Sequence, residues 1–358
     1  MDILTIIGAR PQFIKAAPLS KLINESFSDE ISETLIHTGQ HFDKEMSEIF
    51  FEELQLPKPF MNLNISSLTH GAMTGRMIEE LESVISQRQP DKVLVYGDTN
   101  STLAGAIAAS KLNIPIIHIE AGLRSYNMSM PEEINRTLTD RLSSILFCPS
   151  SSSVDNLVKE NIRDNVFNVG DIMRDSIELF NSLDVQVGSD ISKLLSEKFI
   201  LLTLHRQENT DNKESLSEIL DALNNLAKNI DIIFPIHPRT KIKIEEFGIN
   251  ELLSNITVIH PLSFFQIQQA LSKSTFLITD SGGMQKESYY QGIPCITLRQ
   301  ETEWRETVEV KMNYLLKNNY HQAEDIIYSH DYSLEYDQNI YGKGDTAKSI
   351  IEILLSKQ

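Results

Sequence analysis

The chain has two cysteines and one tryptophan in 358 residues, and no apolar run approaches the ~20 residues of a membrane-spanning helix. Cys148 in "ILFCPS" and Cys295 in "IPCITL" lie far apart in apolar surroundings, the pattern of small buried thiols rather than of a disulfide framework or a metal site. Positive charge is scarce: 32 Lys and Arg face 50 Asp and Glu, for a formal net charge of −18. A surface of that sign repels nucleic acid and anionic membranes, so neither is expected as a partner, and an anionic ligand must meet local positive charge. Walker A and G-x-G-x-x-G loops are both missing. The opening "MDILTIIGARPQ" has too short an apolar run for a signal peptide and no basic flank, which predicts a cytoplasmic protein.

What is present is an alternation. "ILTIIGARP", "KVLVYGDTN", "IPIIHIEAG", "FILLTLHRQ", "IDIIFPIHP", "TFLITDSGG" and "IPCITLRQ" are short β-rich runs, each followed by a polar or glycine-containing turn and a helical pattern. In "SLSEILDALNNLAKN", Leu216, Ile219, Leu220, Leu223 and Leu226 share one helical face. The pattern predicts parallel α/β, with sheets covered on both faces because the strands are apolar at nearly every position. The runs divide the chain into two Rossmann-like domains over 1–170 and 171–343, with a closing helix over 344–358.

Ligands of such sheets bind beyond the carboxyl ends of the strands, so the residues just after each run are the candidates. In "GARPQFIK", Arg10 and Lys15 fall near a helix N-terminus begun by Pro11, where backbone N–H groups favour an anion. In "TDSGGMQKE", Ser281, Gly282 and Gly283 let the backbone approach a diphosphate, with Glu287 one turn on for ribose hydroxyls. Arg299 either adds charge to that pocket or pairs with Glu301 or Glu303. His205 and His237 end equivalent apolar strands, each closely followed by an Arg. His37 and His41 are four residues apart with no third ligand placed beside them, so no metal is expected. Asp98 and Glu120 end strands on the ligand side, and Glu132 opens a charged run with Arg136. The structural alternatives are that Asp98 caps the following helix and that Glu132 to Asp140 is a solvated helix face.

Taken in order, "GARPQFIKAAP", "HTGQHFD", "VLVYGDTNSTLAGAIAASKLNIPIIHIEAGLRS", "MPEEINRTLTD", "LTLHRQEN", "HPRT", "TDSGGMQKE" and "LRQETEWRETVE" resemble the non-hydrolysing UDP-N-acetylglucosamine 2-epimerase family over nearly the whole chain. The resemblance implies a glycosyltransferase-B-like pair of domains facing a cleft, usually in a homodimer. It also implies inversion at C2 of a UDP-2-acetamido sugar, supplying manno-configured precursors of surface polysaccharides. By motif, Arg10, Lys15, Asp98, Glu120, Glu132, Arg136 and His205 correspond to the catalytic-cleft residues, and Ser281, Gly282, Gly283 and Glu287 to the UDP site. The short "SYNMSM" linker after "EAGLR", with "GARPQF" for the more usual "GTRPE" and "TEWRE" for "TERPE", resembles both archaeal-type UDP-GlcNAc epimerases and enzymes acting on UDP-2,3-diacetamido-2,3-dideoxyglucuronate.

The C2 proton of such a sugar is not adjacent to a ketone. Oxidising C3 first requires NAD, whose fingerprint is absent, so no cofactor is expected; eliminating UDP to a 2-acetamidoglycal and adding it back requires none. That route needs cationic and N–H groups for departing UDP, carboxylates that tolerate positive charge at C1, and an acid or base on each face of C2. A hydrolysing 2-epimerase and a glycosyltransferase of the same architecture are the alternatives.

Overall fold

The computed structural model describes residues 1–40, 51, 54, 56–182 and 198–357. The chain divides into two compact units, Met1–Ser182 with Asn339–Gln358, and Leu183–Gln338. Gly170 and Gly344, next to the boundaries expected from sequence, both lie within the first unit.

The first unit holds a seven-stranded sheet in the order β3-β2-β1-β4-β5-β6-β7. Its strands are β1 (Asp2–Ile7), β2 (Ser32–His37), β3 (Met61–Asn62), β4 (Lys92–Tyr96), β5 (Ile116–Ile119), β6 (Ile145–Cys148) and β7 (Val166–Asn168). Every pairing is parallel. The second unit holds a six-stranded sheet, β10-β9-β8-β11-β12-β13, from β8 (Ile200–Thr203), β9 (Ile232–Pro235), β10 (Thr257–Ile259), β11 (Phe276–Thr279), β12 (Cys295–Thr297) and β13 (Asn313–Leu315). It too is parallel throughout. Each expected run forms a strand, and the strands interleave with helices as the alternation requires.

Parallel sheets survive only when both faces are covered, and the second unit shows how the sequence does this. Ile200, Leu202, Ile232, Phe234, Phe276 and Ile278 pack with Leu216, Ile219, Leu220 and Leu223 on one face. Their neighbours Leu201, Ile233 and Leu277 pack with Leu262, Leu271 and Met284 on the other. The helix Lys213–Leu226 thus buries the predicted face, each large side chain contributing roughly 1.5–3 kcal/mol. Asn212 starts it by accepting from the Ser215 N–H. In the first unit, Leu4, Ile6, Val93 and Val95 meet Met77, Leu81, Ala104 and Ala108 in the same manner.

Both sheets reverse strand order at one point, β1/β4 in the first unit and β8/β11 in the second. A crevice opens outside the carboxyl ends of the strands at such a point. Among the described residues, no helix is long and apolar enough to cross a membrane.

Candidate active site

In the first unit the helix Arg10–Ser26 starts directly after β1, with Pro11 in its first turn, where a missing N–H costs nothing. Gln12 replaces a side-chain cap. Its Oε1 accepts from the Gly8 and Ala9 N–H groups at 2.9 and 3.1 Å, and its Nε2 donates to the Tyr96 carbonyl and Thr102 Oγ1, both at 3.0 Å. The buried amide therefore joins the β1 turn to the β4 turn, using donor and acceptor together. Gly8 is fixed by close approach: a methyl group there would lie 1.9 Å from Thr38 Oγ1 and 2.3 Å from Ser101 Oγ.

These turns set two ion pairs side by side. Lys15 pairs with Glu120 in a buried contact, and Arg136 donates to Asp98 at 2.5 Å and to Glu133 at 3.0 Å. Gly97 lies next to both: at φ +62° it takes the left-handed backbone that glycine tolerates, and a methyl group on it would sit 3.1 Å from Glu120 Oε2 and 3.5 Å from Lys15 Nζ. Glu120 itself has φ +72°, costly for a side-chain-bearing residue. It is held there because its N–H and that of Ala121 both donate to the Phe147 carbonyl at 3.0 Å. Arg10 is half-buried at the start of its helix. Glu132 is half-buried in the first turn of the helix Pro131–Leu142 and has no ion pair among the described residues.

Both structural alternatives fail here. The helix Asn100–Lys111 is capped by Thr99, whose side chain accepts from the Thr102 N–H, leaving the Asp98 carboxylate to Arg136. The charged run is not a solvated face, because Glu133, Arg136 and Asp140 are 1–3% exposed. Glu133 accepts from the Ser125 and Tyr126 N–H groups, each at 2.9 Å, and so fastens the short linker. Asp140 joins His118 and Arg124. Burial alone would raise its carboxyl; hydrogen bonds and charge from His118 and Arg124 outweigh that and hold it below the ordinary carboxylate range.

In the second unit the organiser is Asp280, fully buried directly after β11. It accepts from the His205 and Arg206 N–H groups at 3.0 and 2.9 Å and from Asn209 Nδ2 at 3.2 Å, so the turn after β8 is moored to the turn after β11. The His205 ring, 41% exposed, lies 3.3 Å from Asp280 through Nδ1 and 5.8 Å from the His237 ring centroid. His237 is also the cap of the helix Pro238–Phe247, its Nδ1 accepting from the Arg239 N–H at 3.2 Å. Ser281 is the N-cap residue of the helix Gly282–Tyr290 without spending its hydroxyl on the cap. Glu287 is buried on that helix and accepts from Gln268. Arg299 pairs with Glu303 at 3.0 Å, and Glu303 Oε1 lies 2.5 Å from where a Gly282 methyl would stand.

His37 accepts from the Gly39 N–H at 2.8 Å and packs 5.0 Å from the Phe13 ring, while His41 lies outside the described residues. Reading the sequence singly missed Gln12, His118 and Asp280. One signal was available for His118: a polar ring inside the buried run "IPIIHIE" requires partners on both nitrogens.

The sequence model described as UDP-N-acetylglucosamine 2-epimerase matches residues 25–355. The chain belongs to this epimerase family. It is 49% identical to the UDP-2,3-diacetamido-2,3-dideoxy-D-glucuronate 2-epimerase of Pseudomonas aeruginosa over 99% of both chains. To the UDP-N-acetylglucosamine 2-epimerase of Methanocaldococcus jannaschii it is 42% identical, again over 99% of both. Among solved structures, the M. jannaschii enzyme in complex with UDP-GlcNAc and UDP matches at a TM-score of 0.89, covering 99% of this chain and all (100%) of that one. The UDP-GlcNAc 2-epimerase of Neisseria meningitidis bound to UDP-GlcNAc matches at 0.88 with 32% identity, covering 99% of this chain and 100% of that one. The two-sheet architecture is therefore that of this epimerase family.

Proposed function

We propose that this epimerase inverts C2 of a UDP-2-acetamido sugar of the UDP-GlcNAc to UDP-ManNAc type, by eliminating UDP and adding it back. The observation that carries the reading is the pair of ion pairs, Lys15–Glu120 and Arg136–Asp98, set around Gly97 at the strand-order reversal of the first sheet. Glu120 and Asp98, each paired to a cation, favour positive charge developing at C1. Together with the half-buried Glu132 they supply acid and base for the two faces of C2. In the second unit, His205 and the Ser281 to Gly283 turn hold the departing diphosphate and Glu287 the ribose, with His237 and Arg299 in support; in the first unit, Arg10 at the start of its helix offers positive charge to an anion. No cofactor enters the scheme.

Incubation with UDP-GlcNAc alone in D2O, followed by proton NMR, tests this. UDP-ManNAc forms and both epimers lose the C2 proton signal if the reading holds; unchanged substrate with its proton retained overturns it. Free ManNAc and UDP indicate the hydrolysing alternative, and turnover only with an acceptor a transferase. A second reading keeps the chemistry and changes the sugar, favoured by the 49% identity to the Pseudomonas enzyme named for the diacetamido uronate. Parallel incubation with that uronate decides between them.

The proposal includes an intracellular homodimer, making precursors of surface polysaccharide. Exposed Ile134 and Leu138, one turn apart on the helix Pro131–Leu142, with exposed Met128 just before it, support an apolar contact between copies. Light scattering at twice the chain mass is the expected result.

A further inference from the structure

His118 is fully buried in β5, and both of its ring nitrogens face acceptors. Nε2 lies 2.8 Å from the Gly97 carbonyl oxygen, and Nδ1 lies 2.7 Å from Asp140 Oδ1. A carbonyl oxygen only accepts, so Nε2 donates. Asp140 receives two further donors on its other oxygen, Arg124 Nη1 at 2.7 Å and the Gly122 N–H at 3.2 Å, which makes it an acceptor toward His118 as well. Arg124 in turn grips Glu160 through two bonds of 2.7 and 2.9 Å. Four side chains of alternating sign, Glu160, Arg124, Asp140 and His118, thus end on one backbone carbonyl.

That carbonyl belongs to the turn between the two pairs. The residue after it is Asp98, and a methyl group on Gly97 would already be 3.1 Å from Glu120 Oε2. Asp140 also brackets Glu120 along the chain, reaching His118 two residues before it and Gly122 two residues after it. We infer that His118 and Asp140 are positioning residues, a doubly donating imidazole braced by a carboxylate that fixes the separation of Asp98 and Glu120. Neither touches the sugar. The inference rests on the proposed roles of Asp98 and Glu120.

The test has two arms. On the protein alone, NMR of selectively 15N-histidine-labelled chain, with His118 assigned by its loss in His118→Gln, shows a proton on both nitrogens at neutral pH. A ring with one proton overturns the clamp whatever the epimerisation assay gives. The kinetic arm compares two substitutions that each keep one half of the imidazole. In His118→Gln the amide reaches the Nε2 position and donates to the Gly97 carbonyl; in His118→Asn it reaches the Nδ1 position and serves Asp140 alone. Misplacing a reacting group by about 1 Å costs on the order of 100-fold in rate. His118→Asn is therefore expected to lose about 100-fold in kcat with KM within about twofold of wild type, while His118→Gln keeps kcat within about tenfold. Equal kcat in the two variants, or losses that follow their melting temperatures, overturns the inference. Asp140→Asn is not the primary test, since it removes the buried negative charge shared by Arg124 and His118 and can prevent folding.

Discussion

Lys15 and Glu120 meet in a largely buried ion pair although 105 residues separate them in the chain. The Glu120 side chain is 5% exposed and that of Lys15 13%, so the pair is read in low dielectric. Removing one charge leaves the other in a poorly solvated place, which costs about 3–5 kcal/mol. Lys15→Met should lower unfolding stability by that order, and Glu120→Gln added to it should restore a large part, because no stranded charge then remains. Glu120→Gln alone should cost about 10²–10⁴ in rate and, because it strands Lys15, a loss of stability of the same order as Lys15→Met. Denaturant titration of the double-mutant cycle and initial rates check this; additive losses of stability contradict it.

Gly97→Ala forces a side chain into the left-handed region, at about 1–2 kcal/mol, and pushes a methyl group toward the Lys15–Glu120 pair. The expected result is a protein that folds, melts a few degrees lower and loses most of its kcat. Wild-type kcat in the alanine variant would show that the space beside Glu120 is not needed.

Asp175 gives a pH signature to the first unit. Burial, partly offset by hydrogen bonds from the Ala347 and Thr346 backbone, raises its carboxyl to about 6. An unfolded chain releases that proton near pH ~4, so between ~4 and ~6 the folded state binds the extra proton. Stability from this group falls as pH rises through that window and is level above it. Asp175→Asn keeps an acceptor for the Ala347 N–H without titrating. The stability of wild type relative to the variant should therefore drop by up to ~1.4 kcal/mol per pH unit between pH ~4 and ~6. A difference constant across that range contradicts the assignment.

Both thiols should be silent in the native state. Cys148 and Cys295 are fully buried, and burial pushes each upward, Cys295 to about 12. A thiol reagent at pH ~8 should titrate neither until the chain is denatured, then both. Prompt native reaction at either would contradict their placement.

Much of this was legible in the sequence, for identifiable reasons. Strands buried on both faces carry apolar residues at nearly every position, so β1, β4, β5, β8, β9, β11 and β12 stand out. Outer strands such as β2, opening with Ser32 and Glu33, and β10, whose Thr257 and Val258 are exposed, do not. β6, Ile145–Cys148, did not stand out either, although it is buried along its length and as long as β5. Candidate residues at strand ends were readable because topology puts them there. Their organisers were not: Asp280 acts on His205 from 75 residues away and Asp140 on His118 from 22. The two structural alternatives for Asp98 and the charged run fell only when Thr99 proved to be the cap and Glu133 and Asp140 proved buried.

The central claim is that the bond between C1 and the diphosphate breaks and re-forms. UDP-GlcNAc carrying 18O in the anomeric bridge, incubated with the protein in D2O, tests it directly. If UDP departs, its terminal phosphate rotates, and recovered sugar nucleotide carries the label in non-bridging positions together with deuterium at C2. Label that stays in the bridge while deuterium enters C2 would contradict elimination and require another route to inversion.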